Sequence, residues 1–185
     1  MKETLEVLLC KALRQTDSEQ LECERDLQQR IYDKLIEAGW RVYPEVDVSF
    51  ELSGVSEALI KKKVDLLAEK NGRRVVLELK VPLNKAYPKR MCHAMADIAF
   101  LEQLKRLNRH FTEAYFIMLV KDHGFYQGKA DKPPYVYFRG GLRLPLREVT
   151  LNFAYQGCHT VCFHRSYRAD WSESQNGGWF LCLKV

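Results

Sequence analysis

The chain has 185 residues, 46% of them hydrophobic and 29% charged, with a formal net charge of +5. That length predicts one domain with a sizeable core. No run of eighteen apolar residues occurs, and charges interrupt the amphipathic N-terminus MKETLEVLLCKALRQ, so neither a membrane span nor a secretory signal is expected. Six cysteines (10, 23, 92, 158, 162 and 182) lie scattered without a CxxC pair, which predicts reduced thiols in a cytoplasmic protein.

Residues 2–15 read as a helix with Leu5, Leu9, Ala12 and Leu13 on one side. Thr16-x-x-Glu19 has the form of a capping box, opening a second helix that runs to Ala38 and stops at Gly39. Its core stripe is Leu27, Ile31, Leu35 and Ala38, and Glu24 falls at the centre of that stripe. Residues 40–50 then alternate Val42, Pro44, Val46, Val48 and Phe50 against polar neighbours, a strand whose proline predicts an edge or a strand start.

A loop near 52–60 leads to KKKVDLLAEK–NG–RRVVLELKV. Asn-Gly between two β-rich runs is the strongest short-range hairpin signal, because a type I′ turn needs positive φ at both central positions. With a two-residue loop, Lys70 pairs with Arg73, Ala68 with Val75, Leu66 with Leu77, and Asp65 with Glu78. Directly opposed residues share a face, with Cβ atoms roughly 4.5–5.5 Å apart. Lys80, two beyond Glu78, returns to that face with Leu67 and Val76. Val64, Leu66, Ala68, Val75, Leu77 and Leu79 make the other, apolar face. Adjacent carboxylates repel unless something compensates, and a divalent cation with a nearby ammonium would do so.

After Val81-Pro82 the pattern predicts a helix around 92–109, with Asp97 inside its Ala94, Leu101 and Leu104 stripe, then a buried strand AYFIMLVKD. The remainder offers strands at 135–139, 147–155, 158–165 and 178–184. On the apolar stripes, Glu24 calls for a cation, a metal or its water, or simply opens its helix, and Asp97 calls for an ion pair with a nearby lysine or arginine or a supporting role in the site. Lys61-Lys62-Lys63, Lys85 and Lys89-Arg90 gather around the hairpin and suggest a polyanionic partner such as nucleic acid.

Together these residues resemble the PD-(D/E)XK nuclease superfamily over about residues 18–122. The matching features are a glutamate-bearing helix (Glu24), an Asp-bearing strand (Asp65 in Val-Asp-Leu-Leu), a hairpin to Glu78-Leu79-Lys80, then a helix and another strand. Val64 stands where the name-giving motif has proline. The resemblance implies an α/β fold of the restriction-endonuclease-like type, a mixed central β-sheet flanked by helices. Residues 1–122 would hold the N-terminal helices and nuclease core, and 123–185 a β-rich C-terminal elaboration packed on it.

It also implies a Mg²⁺- or Mn²⁺-dependent nuclease that hydrolyses phosphodiester bonds, DNA before RNA. Asp65 and Glu78, with the Leu79 carbonyl, would hold the metal, a hard cation that prefers oxygen. Lys80 would orient or deprotonate the attacking water, and Glu24 would bind a second metal or place a water. Asp97 or Gln103 would support the site from the following helix. Lys61, Lys62, Lys63, Lys85, Lys89 and Arg90 would grip the backbone without reading sequence. A homodimer would let two such sites cut a duplex. The alternative is a nucleic-acid-binding or scaffold protein that keeps the fold without cleavage.

Cys158, His159, Cys162 and His164 suggest zinc only weakly, since alternation lines Cys158, Cys162 and His164 along one strand face instead of converging them. Phe125, Tyr126, Tyr135, Tyr137 and Phe138, beside Lys129, Lys132 and Arg139, could stack on bases, but packing of a small core is the commoner use of such aromatics.

Overall fold

A computed structural model describes residues 3–49, 59–141, 148–153 and 157–185, and of 148–153 and 157–159 only the backbone path. Helix α1 (Leu5–Arg14) is capped by Thr4, whose hydroxyl accepts the Val7 N–H, and it buries Leu5, Leu9, Ala12 and Leu13.

The second helix starts later than its capping signal predicts. The Thr16 hydroxyl donates to the Ala12 carbonyl at 2.9 Å and so finishes α1 instead of opening a new helix. Asp17 then caps a short 3-10 turn over Ser18–Gln20. Helix α2 (Glu24–Glu37) is opened by Asp26, whose Oδ2 accepts the backbone N–H groups of Glu22 and Cys23 at 2.7 and 2.9 Å. Gly39, at φ +79°, takes the chain out of the helix in the left-handed region that glycine enters freely.

The strands are β1 (Arg41–Asp47), β2 (Lys63–Lys70), β3 (Arg73–Lys80) and β4 (Glu113–Val120), with helix α3 (Tyr87–Leu107) between β3 and β4. Helix α4 (Tyr135–Phe138), β5 (Glu148–Phe153), β6 (Gly157–Cys162), β7 (Trp171–Glu173) and β8 (Trp179–Lys184) follow. Six strands form one mixed sheet in the order β1-β2-β3-β4-β8-β7, and β5 and β6 pair separately. Among the described residues, the only parallel strand pair is β3 with β4, and α3 supplies the crossover that such a pair needs. β1 stands at the edge, where Pro44 costs no interior ladder bond.

Helices cover both faces of the sheet. Leu9, Leu13, Leu27, Ile31 and Leu35 of α1 and α2 pack on Leu66, Ala68, Leu77, Leu79 and Ile117. On the other face, Met91, Met95, Ile98 and Leu101 of α3 pack on Leu67, Val76, Phe116 and Met118. This explains the nearly unbroken apolar runs of β3 and β4, as expected of strands buried on both sides. A fully buried Leu or Phe contributes roughly 1.5–3 kcal/mol. A sheet with this many can carry a few charged groups that cost several kcal/mol at one end.

One expectation for the C-terminal region changes. Residues 135–139 are not a strand: after Pro133-Pro134 the chain turns into α4, with the Arg139 N–H donating to the Tyr135 carbonyl at 2.8 Å. Proline at a helix start gives up no hydrogen bond, and the helical turn buries Tyr137 and Phe138. The last strand lies where the pattern predicts it and joins the central sheet. β8 pairs antiparallel with β4, from Tyr115–Lys184 to Val120–Trp179, and carries β7 outward from it. Among the described residues, no helix is long and apolar enough to cross a membrane.

Candidate functional site

The hairpin has the expected register: Lys70 faces Arg73, Ala68 faces Val75 and Leu66 faces Leu77, around Asn71 (φ 51°) and Gly72 (φ 75°). The ladder stops there, one position short of Asp65 and Glu78. It is interrupted on the other side too. β1 pairs Pro44 with Leu66 and Val46 with Val64 but skips Glu45 and Asp65, and Glu45 has φ 52°, which is uncommon for a residue with a Cβ. β2 therefore breaks its regular pairing at Asp65. One consequence contradicts simple alternation: Val64 packs in the α3-side core with Leu67, not with Leu66 and Ala68.

Other bonds replace the missing ladder. The Asp65 carboxylate accepts the Leu79 N–H at 2.6 Å. Gln28, projecting from α2, donates to the Asp65 carbonyl at 2.7 Å and to the Glu45 carboxylate at 3.2 Å. A buried backbone group left unpaired costs about 1–3 kcal/mol. Gln28→Leu should lower stability by that amount, read as a lower denaturation midpoint with an unchanged denaturant slope.

Four carboxylates and two ammonium groups meet at this break. Glu24, the first residue of α2, accepts from Lys80 Nζ at 3.3 Å. Lys80 Nζ also donates to the Leu79 carbonyl at 3.0 Å and lies 3.4 Å from Asp97 Oδ2. Lys61 Nζ donates to Glu78 Oε2 at 2.5 Å and to Asp97 Oδ1 at 3.3 Å, and sits 5.5 Å from the centre of the Phe100 ring. Asp97, from the middle of α3, thus bridges the two lysines. Glu78 is 0% exposed and Asp97 7%. Glu78 Oε1 and Asp97 Oδ2 are buried without a hydrogen-bond partner.

The electrostatics follow from this crowding. Burial pushes the Glu78 carboxyl well above its ordinary pKa, and the Asp65 and Asp97 charges push it further. Burial likewise raises Asp65 and Glu24, in both cases against the nearby Lys80. Burial alone would lower the two lysines, but their carboxylate neighbours outweigh it: Asp97 and Glu78 raise Lys61, and Asp97, Glu24, Asp65 and Glu78 raise Lys80. Both ammonium groups stay charged. Burial lowers the pKa of His93, one helical turn before Asp97, and Lys89, Arg90 and Lys80 add to that effect.

The sequence-predicted residues divide accordingly. Asp65, Glu78, Lys80, Glu24 and Asp97 come together. The Leu79 carbonyl is directed to the same space, since Lys80 bonds it. Gln103 serves the site through the backbone: its Oε1 accepts the Ile60 N–H at 2.9 Å and so holds the chain beside Lys61. Lys61, read from its sequence as part of a basic tract, is turned into the site, while Lys62 and Lys63 are exposed. Lys85, Lys89 and Arg90 lie between the end of β3 and the first turn of α3, with Lys85 81% exposed. Sequence reasoning gave Lys61 a backbone-gripping role and did not place it among the carboxylates. The side chains of Cys158 and His159 lie outside the described residues.

Among the described residues, no three Asp, Glu, His or Cys side chains are gathered closely enough to hold a metal ion as they stand. Lys61 and Lys80 sit between the carboxylates instead. The donor set still fits a hard divalent cation: four carboxyl groups outnumber the two ammonium groups, and a buried oxygen of Glu78 has no partner. Comparisons of the chain with protein-family models, with curated proteins and with solved structures found no match.

Proposed function

We propose that this protein is a metal-dependent nuclease that hydrolyses phosphodiester bonds, DNA before RNA, with a restriction-endonuclease-like fold and a PD-(D/E)XK site. The observation that carries the reading is the buried, unpartnered Glu78 Oε1 beside Asp65 and Asp97 at the end of a sheet strand. Such an atom costs several kcal/mol unless a cation meets it in the working state. The order α2-β1-β2-β3-α3-β4 and the placing of Glu24, Asp65, Glu78 and Lys80 support it.

Asp65, Glu78 and the Leu79 carbonyl would hold Mg²⁺ or Mn²⁺. When bound, that ion supplies Lewis acidity toward a phosphoryl oxygen and a lowered pKa for a bound water. The Lys80 pKa is raised by Asp97, Glu24, Asp65 and Glu78 against its burial, so Lys80 would donate to the water and to the phosphoryl oxygens. Glu24, bonded to Lys80, has a raised pKa and a 42% exposed side chain, which suits it to accept the water's proton.

Purified protein incubated with plasmid, single-stranded DNA and RNA, with and without Mg²⁺ or Mn²⁺, tests the proposal. Metal-dependent cleavage supports it. Binding without cleavage in every metal would identify a non-catalytic nucleic-acid-binding protein instead. The exposed Lys62 and Lys63 provide a separate measurement. Replacing both with Ala should weaken duplex binding at all sequences alike, and the salt slope should become shallower by about 0.9 for each phosphate no longer neutralised.

A further inference from the structure

We infer that Lys61 is a built-in competitor of the metal: its ammonium, held by Asp97, occupies Glu78, one of the ligands the metal would need, and a divalent ion enters only as Lys61 leaves. This rests on the proposed metal-dependent reading of the site and adds how that site is loaded.

Three features show that the Lys61 position is built and is not a chance surface contact. Its Nζ donates to both Glu78 and Asp97, which are 0% and 7% exposed. Its charge also lies over the Phe100 ring, which favours a cation. The backbone beside it is pinned to α3 by the Ile60–Gln103 bond. Lys61 occupies one oxygen of Glu78 and leaves the other, Oε1, without a partner. One ammonium is therefore an incomplete substitute for a doubly charged ion, which could engage the orphaned Glu78 oxygen beside Asp65.

The exchange links metal loading to substrate. Once released, Lys61 is a free ammonium next to the exposed Lys62 and Lys63, where a polyanion would bind it. A phosphate backbone stabilises the displaced lysine, and the vacated Glu78, with Asp65, takes the metal. Without a polyanion, the lysine competes. Metal and nucleic acid should each tighten binding of the other, with one coupling factor shared between them.

The test uses Mn²⁺ alone, with free Mn²⁺ counted by electron paramagnetic resonance, on the full chain and on Lys61→Met, which keeps the stem over Phe100 and removes the charge. Lys61→Met should bind Mn²⁺ about tenfold more tightly than the parent, equivalent to about 1.4 kcal/mol of removed competition. Gln103→Leu, which releases the Ile60 tether, should shift affinity in the same direction and serves if Lys61→Met does not fold. A non-cleavable phosphorothioate duplex should tighten Mn²⁺ binding to the parent but not to Lys61→Met. Equal Mn²⁺ affinity in parent and variants would overturn the competition while leaving the metal site intact. No Mn²⁺ binding by any of the three, duplex present or absent, would overturn both the competition and the metal-dependent reading.

Discussion

Glu78→Ala and Asp65→Ala should each lower metal-dependent cleavage at least about 10³-fold, the scale seen when one member of a cooperating catalytic set is removed. Both carboxylates sit at the break in the ladder between β2 and β3, and neither role can pass to a neighbour. Glu24 and Asp97 are both held by Lys80. Nucleic-acid binding without metal should be preserved or tightened, because a negative charge that repels phosphate has gone. Lys80→Met should also stop turnover, yet it should not weaken Mn²⁺ binding, since it removes a positive charge beside the carboxylates. The three variants therefore separate along two axes, cleavage and Mn²⁺ affinity, measured on protein whose circular dichroism and melting match the parent. Full cleavage by Glu78→Ala would place the activity elsewhere in the protein or in a contaminant. Loss of Mn²⁺ binding in Lys80→Met would mean that Lys80 shapes the metal position and does not act on the water.

The legible parts of this site were those fixed by neighbours in sequence. Asn71-Gly72 sets a register that carries Leu66 opposite Leu77, because turn geometry and a period of two act over a dozen residues. Glu24 and Asp97 stood out as carboxylates on apolar stripes, and both meet ammonium groups in the fold. The illegible parts depend on tertiary partners. Within Lys61-Lys62-Lys63 nothing local distinguishes the first lysine; Asp97 and Phe100, more than thirty residues later in the chain, select it. The break at Asp65 depends on the Glu45 backbone and on Gln28 from α2, which strand alternation cannot register. The start of α2 is not legible because two capping signals follow one another, and the first closes α1. Tyr135–Phe138 reads as a strand by composition, but the helix after Pro133-Pro134 buries its aromatics better.

Glu78→Gln should make the metal-free protein more stable at neutral pH, by on the order of 1–2 kcal/mol, the gain commonly available when a functional group is relieved of a strained position. Burial and the Asp65 and Asp97 charges raise the Glu78 pKa in the folded protein above the ordinary value of 4.5. Folding therefore favours the protonated carboxyl. The stability tied to that proton is fully present below the unfolded value and is lost as pH rises through the raised folded value. Glutamine cannot ionise, and its Oε1 can still accept from Lys61. The stability difference between Glu78→Gln and the parent should therefore be small in acid and should grow with pH until Glu78 is fully ionised. Denaturant melts in EDTA across that range would trace it. Adding Mn²⁺ should reverse the order, because the ion stabilises the parent by mass action and finds one carboxylate fewer in the variant. A Glu78→Gln protein less stable than the parent in EDTA at every pH would mean that the ionised Glu78–Lys61 pair, and not the repulsion around it, dominates the energetics of the site.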